Sequence, residues 1–215
     1  MKNFQTMAKG AMNLAGWVWM ALLMVQAAPG VHAEAVGNDI QKLLQSGKHP
    51  NLRWGKFSDV AKTLSQLYGQ LEPVPLWVRD GQPTPQAKVM VEALARADDE
   101  GLNAVDYDAE LLAKWLARPE LKSGDPAAVA AFDVALSVAA TRYVANVYLG
   151  RINPRAVGFG LNVEPKRLDV PKRVRDITQS PHPASILATL EPHFPIYRPL
   201  KEALLRYRHL AREVP

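Results

Sequence analysis

The chain has 215 residues, of which 48% are hydrophobic and 22% are charged. This composition supports one packed domain and excludes a globally disordered chain. Cysteine is absent, which excludes a disulfide framework, a cysteine-ligated metal and a cysteine nucleophile within this chain. The formal charge of +5 comes from 26 basic and 21 acidic residues. Because the two signs are interspersed, we expect no nucleic-acid partner.

The N-terminal segment has the three parts of an export signal. Lys2 and Lys9 precede an apolar run over residues 17–25, and residues 31–33 resemble a small-residue cleavage site. The run is shorter than the roughly 20 apolar residues that cross a bilayer. We therefore predict a signal peptide over residues 1–33, a periplasmic location, and membrane contact only through this signal. An uncleaved membrane anchor is the alternative.

The remainder of the chain shows helical spacing of apolar residues with helix-start and helix-stop signals. After an N-terminal extension over residues 34–57, helices are predicted from Ser58 to Leu71, from Thr84 to Gly101, from Asp106 or Asp108 to Leu116, from Asp125 to Gly150, over residues 184–190, and over residues 199–212. The segment 127–149 is the longest and most apolar, so we predict the central helix there.

The predicted fold class is all-α: a single multi-helix, bundle-like domain with a long proline-rich loop. Residues 76–78 are the one plausible extended piece, and residues 151–183 are predicted to be irregular because prolines recur along them. In the last helix, the residues expected to face inward are Leu200, Leu204, Leu205, Tyr207 and Leu210.

Two acidic clusters invite comparison with the paired carboxylates of glycosidases. One comprises Asp98, Asp99 and Glu100, and the other comprises Asp106, Asp108 and Glu110. The first three are consecutive and point in different directions on a helix, whereas the second three suit the first turn of a helix. We interpret both clusters as solvated helix ends and predict no catalytic residue.

No pair of histidines has metal-binding spacing, and no phosphate-binding or serine-nucleophile motif is present. We therefore predict no metal and no cofactor.

A local run of basic residues is the remaining candidate site. It consists of Lys166, Arg167, Lys172, Arg173 and Arg175, with apolar residues between them. Such a run is able to contact an anionic polymer or lipid headgroups. The alternative is a solvated flank whose apolar members pack against the domain.

Several short sequence motifs follow one another along the chain in a recognisable order. They are Leu67-Tyr68, Pro75-Leu76-Trp77, Gly81, Thr84 and Ala87, Gly101-Leu102 with Asp106-Tyr107, Arg142-Tyr143, Tyr148-Leu149-Gly150-Arg151-Ile152-Asn153-Pro154, Pro192-His193-Phe194-Pro195, and Tyr197 with Leu200, Ala203-Leu204, Tyr207-Arg208 and Leu210-Ala211. Over residues 58–212, this order resembles the N-terminal scaffold domain of large L,D-transpeptidases. These periplasmic enzymes make 3→3 cross-links in peptidoglycan.

The resemblance implies structural anchors rather than catalytic residues. The anchors are Trp77, Tyr107, Tyr143, Tyr148, Arg151, Tyr197 and Tyr207. In the family, catalysis belongs to a later domain with a Ser-His-Gly-Cys stretch whose cysteine attacks the donor peptide.

Because this chain lacks cysteine, we expect a non-catalytic scaffold, with residues 213–215 as the start of a linker to a missing catalytic domain. The expected partner is peptidoglycan or a transpeptidase catalytic domain, in cis or in trans. The rival hypotheses are a stand-alone module that binds an anionic envelope polymer through the basic run, and a wall hydrolase that uses the acidic residues.

Overall fold

The computed structural model describes three stretches of the chain, residues 29–69, 73–152 and 166–213. Parts of five predictions lie outside these stretches: residues 1–28 of the export signal, Leu71, residues 153–165 of the stretch predicted to be irregular, Asn153-Pro154 of the family resemblance, and Val214-Pro215 of the linker. The described residues are mostly helical, with one two-stranded antiparallel hairpin. The all-α prediction is therefore confirmed.

The helices, in chain order, are α1 (Pro29–Ser46), α2 (Ala61–Tyr68), α3 (Pro85–Ala95), α4 (Ala109–Leu116), α5 (Pro119–Lys122), α6 (Pro126–Leu149), α7 (Val170–Gln179), α8 (Pro183–Ala188) and α9 (Tyr197–Glu213). Two 3₁₀ turns, Ala97–Glu100 and Ala104–Tyr107, lie between α3 and α4. The hairpin consists of β1 (Val78–Arg79) and β2 (Gln82–Pro83), with Val78 opposite Pro83.

Helix α6 runs through the middle of the domain, as predicted. It begins where the side chain of Asp125 accepts a hydrogen bond from the backbone N–H of Ala128 at 2.9 Å, with Pro126 in the first turn. It ends at Gly150, whose φ of 88° lies in the left-handed region. Among the described helices, α6 alone is long and apolar enough to cross a membrane, but 78% of its apolar window is buried within the protein. Its apolar residues form the core of the domain.

The sequence pattern does not predict α1, which packs along α6. Val36 and Ile40 of α1 are buried in the core, and so are Leu52 and Phe57 of the segment that follows. Residues 34–57 therefore contribute directly to the core.

Helix α7 lies within the stretch predicted to be irregular, so that prediction is wrong for residues 170–179. The side chain of Asp169 caps the helix by accepting a hydrogen bond from the backbone N–H of Lys172 at 2.9 Å. Pro171 lies in the first turn, where a missing N–H costs no helical hydrogen bond. The prolines along this stretch thus mark helix starts as well as breaks.

The predicted helix from Thr84 to Gly101 is confirmed as far as Ala95. The hydroxyl of Thr84 accepts a hydrogen bond from the backbone N–H of Ala87 at 3.1 Å. Beyond α3 the chain tightens into a 3₁₀ turn, which ends at Gly101 with a φ of 73°. A capping side chain followed directly by proline, as at Thr84 and Asp125, therefore predicts a helix start well.

The carboxylate of Asp133 joins the middle of α6 to α2 and to the approach of the hairpin. Its Oδ1 accepts hydrogen bonds from the hydroxyl of Tyr68 at 2.6 Å and from the N–H of Leu76 at 2.9 Å. Its Oδ2 accepts from the N–H of Trp77 at 2.7 Å. One turn further along α6, Ser137 Oγ accepts from the indole N–H of Trp77 at 2.9 Å and lies 2.7 Å from the Tyr68 hydroxyl. Trp77, the predicted anchor, is fully buried at this junction.

Burial raises the pKa of Asp133 from 3.8 to about 6, and hydrogen bonds from Tyr68 and from the backbone N–H groups offset part of that rise. The folded state therefore binds this proton more tightly than the unfolded chain does. Ionisation of Asp133 lowers the free energy of unfolding as the pH rises from about 4 to about 6. The carboxylate is held in the core by its donors, which would be left without an acceptor if it were removed.

A second polar link ties the loop before α2 to α6. The guanidinium of Arg142 donates to both carboxylate oxygens of Asp59, at 2.9 Å each. It also donates to the carbonyl oxygens of Lys56 at 2.9 Å and Trp54 at 3.3 Å. Hydrogen bonding to Arg142 holds the pKa of Asp59 below its usual range. Arg142 therefore stabilises the loop in two ways. It donates hydrogen bonds to backbone carbonyl oxygens of the loop, and it pairs with the negative charge of Asp59.

His49 is a buried histidine between α1 and α6. Its Nε2 lies 2.9 Å from the carbonyl oxygen of Ala131, and the N–H of Asn51 donates to its Nδ1 at 3.3 Å. Only the neutral ring with a proton on Nε2 satisfies both contacts. Burial lowers the pKa of His49, and the bond to Ala131 opposes this effect.

We predict that Ser137→Ala lowers the free energy of unfolding by about 1–3 kcal/mol, because the buried indole N–H of Trp77 loses its acceptor. The matched control is Thr141→Val, also on α6, since the hydroxyl of Thr141 is buried without a hydrogen-bond partner among the described residues. This control should leave stability unchanged or raise it. Urea-induced unfolding followed by circular dichroism measures both, and equal effects of the two substitutions would contradict the assignment.

We predict that the stability difference between the wild type and His49→Gln shrinks as the pH falls below about 6.5. The unfolded chain gains a proton on His49 that the folded chain resists, whereas glutamine keeps a donor for Ala131 and does not titrate. The slope is at most about 1.4 kcal/mol per pH unit. Unfolding of both proteins in urea from pH 7 to pH 5 measures it, and subtraction cancels the opposing contribution of Asp133. A constant difference would disprove the neutral, buried state of His49.

Candidate functional site

The predicted contact residues for an anionic polymer lie in α7 and immediately before it. We call this set the basic surface, and it comprises Lys166, Arg167, Lys172, Arg173 and Arg175. The last three belong to α7, so the prediction that residues 151–183 are irregular is wrong for them. Residues 166–176 contain five cations and only two acids, Asp169 and Asp176, which leaves an excess of three positive charges (5 − 2 = +3).

Several members of the basic surface have internal partners. Lys166 Nζ donates to the carbonyl oxygen of Tyr148 at 3.1 Å and lies 5.7 Å from the centroid of the Tyr148 ring. Lys172 forms an ion pair with Asp176 at 2.9 Å. Arg175 donates to the carbonyl oxygen of Gln66 at 2.8 Å. These contacts use donors that would otherwise face solvent, and the last one connects α7 to α2.

Arg167 and Arg173 have no side-chain partner among the described residues. Lys166 and Arg175 donate to neutral carbonyl groups and therefore keep their full charge. The surface thus retains most of its positive potential.

The aromatic residues named by the resemblance are distributed along the domain. Tyr107 is buried, and its hydroxyl accepts a hydrogen bond from the Asn146 side chain at 2.8 Å. Its ring meets that of Tyr143 edge-on, with 5.7 Å between the centroids. Arg151 forms an ion pair with Asp106 at 2.9 Å. These contacts connect the end of α6 to the 3₁₀ turn before α4.

Helix α9 is attached to the domain by a stripe of mainly polar residues, which we call the inner stripe. It comprises Tyr197, Lys201, Leu204 and Arg208. The hydroxyl of Tyr197 donates to Glu100 at 2.7 Å. Lys201 donates to Glu100 at 2.5 Å and to Glu191 at 2.8 Å, and Arg208 donates to the carbonyl oxygen of Asp98.

The neighbouring stripe of α9, one residue out of phase, is apolar and faces away from the described core. We call it the outer stripe, and it comprises Ile196, which directly precedes the helix, and Leu200, Ala203, Tyr207 and Leu210 within it. The larger members are conspicuously open to solvent: Ile196 is 61% exposed, Leu200 57%, Tyr207 72% and Leu210 52%.

The expected inward orientation is therefore wrong for Leu200, Tyr207 and Leu210, and Leu205 is also exposed at 41%. Of the predicted inward residues, Leu204 alone is partly covered and approaches the site of Gly101. The reason is electrostatic, because the charged side chains one position away from the outer stripe find carboxylate and carbonyl partners on the domain.

The acidic cluster at the end of α3 separates into different roles. Asp98 Oδ1 accepts a hydrogen bond from the backbone N–H of Ala104 at 3.3 Å, and Glu100 binds Tyr197 and Lys201. Asp99 has no side-chain partner among the described residues. Within the stretches that the structure describes, no three His, Asp or Glu residues are grouped to hold a metal ion.

A cleft of about 300 Å³ opens beside this cluster, between α3, α8 and α9. Its charged wall includes Arg96, Glu191 and Lys201, and Tyr143 of α6 reaches it from below. The sequence does not predict this cleft as a site, because the residues that line it come from four separate segments. The one signal is the placement of charged residues at the end of α3.

No curated protein matches the chain, and no solved structure matches it. The protein family described as Scaffold domain matches residues 62–204. This match covers about two thirds of the 215 residues and supports a non-catalytic scaffold role. It spans the segments that contribute the Asp133 junction, α7 and most of the outer stripe. The chain belongs to the scaffold domain family.

Proposed function

We propose that this domain holds an L,D-transpeptidase catalytic domain, supplied in cis or in trans, during peptidoglycan cross-linking in the periplasm. The outer stripe of α9 is the observation that carries the proposal. Membership of the scaffold domain family supports the scaffold role. The export-signal pattern of residues 1–33 and the ordered pieces over residues 58–212 support the location and the pathway.

The outer stripe has the spacing of a helix-packing surface. Its members follow one another at intervals of four, three, four and three residues, which is the pattern with which one helix packs against another. Burial of each large side chain of the outer stripe by a partner would stabilise the complex by about 1.5–3 kcal/mol. A contiguous apolar face of this kind marks an interaction surface.

A charge beside the outer stripe indicates the chemistry of its partner. Arg206 flanks the stripe, is exposed and has no ion-pair partner among the described residues, whereas Arg198 and Arg212 lie on the opposite side of α9. A partner surface with an apolar groove and an acidic residue at its edge would complement both features. We assign that surface to the catalytic domain.

The test is binding of the purified chain to a separately purified L,D-transpeptidase catalytic domain from the same envelope, measured by isothermal titration calorimetry. We predict that the double variant Leu200→Gln/Leu210→Gln weakens binding by about tenfold or more, because two apolar contacts are lost. The matched control is Leu205→Gln, which changes an exposed leucine of α9 outside the outer stripe. It should bind like the wild type.

Both variants should keep the wild-type circular dichroism spectrum, since the substituted side chains are exposed. The proposal fails if the wild type does not bind the catalytic domain. It also fails if the stripe variant and the control bind equally well.

A second candidate function is binding of an anionic envelope polymer by the basic surface. The three excess positive charges of residues 166–176 favour it. Attraction of this kind weakens as salt shortens the Debye length, from about 14 Å at 50 mM to about 5–6 Å at 300 mM.

For this candidate, sedimentation with purified cell-wall polymer at low and high salt measures the bound fraction. We expect Arg167→Gln/Arg173→Gln to bind less than the wild type at low salt and to respond less to added salt. The control Arg79→Gln/Lys88→Gln removes the same charge from exposed positions elsewhere. Equal losses in the two double variants would show that net charge, rather than the basic surface, governs binding.

A further inference from the structure

The cleft between α3, α8 and α9 has an apolar floor and a charged wall. Ala93 of α3 and Leu187 and Ala188 of α8 line the floor. The wall is formed by residues of the turn after α3 and of α9. Its volume of about 300 Å³ lies at the lower end of the range for small-molecule sites, roughly 300–1,000 Å³. A ligand the size of one amino acid would therefore fill it.

Part of the charged wall is already paired within the domain. Lys201 donates to the carboxylates of Glu100 and Glu191, and Tyr197 donates to Glu100. The side chains of Lys201 and Glu100 are only 22% and 12% exposed. This network is fixed in place and leaves little capacity for a ligand, so it forms a rigid boundary of the cleft.

Three other polar groups in the same cleft have no partner among the described residues. The side chains of Arg96 and Asp99 form no hydrogen bond or ion pair with any described residue. Tyr143 is only 6% exposed, yet its hydroxyl has no hydrogen-bond partner in the described part of the chain. Among the described residues, this hydroxyl is not one of the fully buried polar atoms that lack a partner, so it faces the cleft rather than the closed core. An unpaired hydroxyl at the base of the cleft is available to a ligand oxygen.

The electrostatic surroundings keep that hydroxyl protonated. Burial raises the pKa of Tyr143, and the charges of Glu100 and Glu191 raise it further. Tyr143 therefore keeps its hydroxyl proton at neutral pH and is able to donate a hydrogen bond to a ligand oxygen. The cleft thus offers two donors, Tyr143 and Arg96, and one anionic acceptor, Asp99.

We propose that this cleft binds a free α-amino acid with an apolar side chain. Its carboxylate accepts hydrogen bonds from Arg96 and Tyr143, and its ammonium donates to Asp99. Arg96 and Asp99 line the same cleft and form no ion pair with each other, so their opposite charges suit a ligand that carries both a carboxylate and an ammonium group. The side chain lies on the apolar floor. This inference goes beyond the proposed scaffold function and does not depend on it.

The test uses L-leucine as the probe in isothermal titration calorimetry with the full chain. We expect saturable binding with a Kd of about 1 mM or tighter, in line with a small ligand held by a few polar contacts. N-acetyl-L-leucine lacks the ammonium and L-leucinamide lacks the carboxylate. Each should bind about tenfold more weakly or worse, because each leaves a charged group of the cleft unpaired.

Two variants locate the site. Tyr143→Phe removes only the hydroxyl and keeps the ring against Tyr107, and Arg96→Gln removes an exposed charge. Each should weaken leucine binding about tenfold. Arg79→Gln, an exposed arginine on the hairpin, should bind like the wild type.

Thermal unfolding separates a binding role from a structural one. Because no described residue forms a hydrogen bond with the Tyr143 hydroxyl, Tyr143→Phe should unfold at the wild-type temperature or above it. The proposal is overturned if leucine does not bind saturably, if the acetylated and amidated probes bind as well as leucine, or if neither cleft variant weakens binding. Loss of binding in Arg79→Gln would overturn the location.

Discussion

The architecture depends on one carboxylate of the longest helix. Asp133 of α6 accepts hydrogen bonds from the hydroxyl of Tyr68 and from the backbone N–H groups of Leu76 and Trp77. Ser137, also on α6, accepts one from the indole N–H of Trp77. Among the described residues, the segment before the hairpin forms few backbone hydrogen bonds of its own. The Asp133 carboxylate therefore supplies acceptors for its N–H groups. A hydrophobic helix surface alone would allow that segment to slide, whereas directional hydrogen bonds set its register against α6.

Helix α9 shows how one sequence pattern supports two orientations. Its inner and outer stripes follow similar spacing, offset by one residue, and the more hydrophobic stripe is the one left exposed. Lys201 and Arg208 point toward the domain because acceptors lie there. Lys201 donates to Glu100 and Glu191, and Arg208 donates to the carbonyl oxygen of Asp98. The domain thus gives up apolar burial on this helix and gains a surface suited to a partner. The same polar attachment forms one wall of the small cleft.

Sequence patterns predicted the helices whose starts carry a capping side chain followed by proline, at Thr84 and Asp125. They did not predict α1, because its N-terminal part adjoins the export-signal pattern, or α7, because prolines there resemble a loop. Asp133 is the one acid inside an apolar helix, which is a signal, but the partners that explain it come from residues 68–77. The cleft and the direction of α9 depend on tertiary pairings that no local pattern contains.

The contact between α1 and α6 has a consequence for the order in which the domain assembles. Val36 and Ile40 are buried although the helix they pack along starts 86 residues after Ile40, at Pro126 (126 − 40 = 86). Contacts of such long sequence separation close large loops and form late. During folding, α1 has no surface to cover until α6 has formed. The N-terminal part of the domain is therefore completed late, after α6.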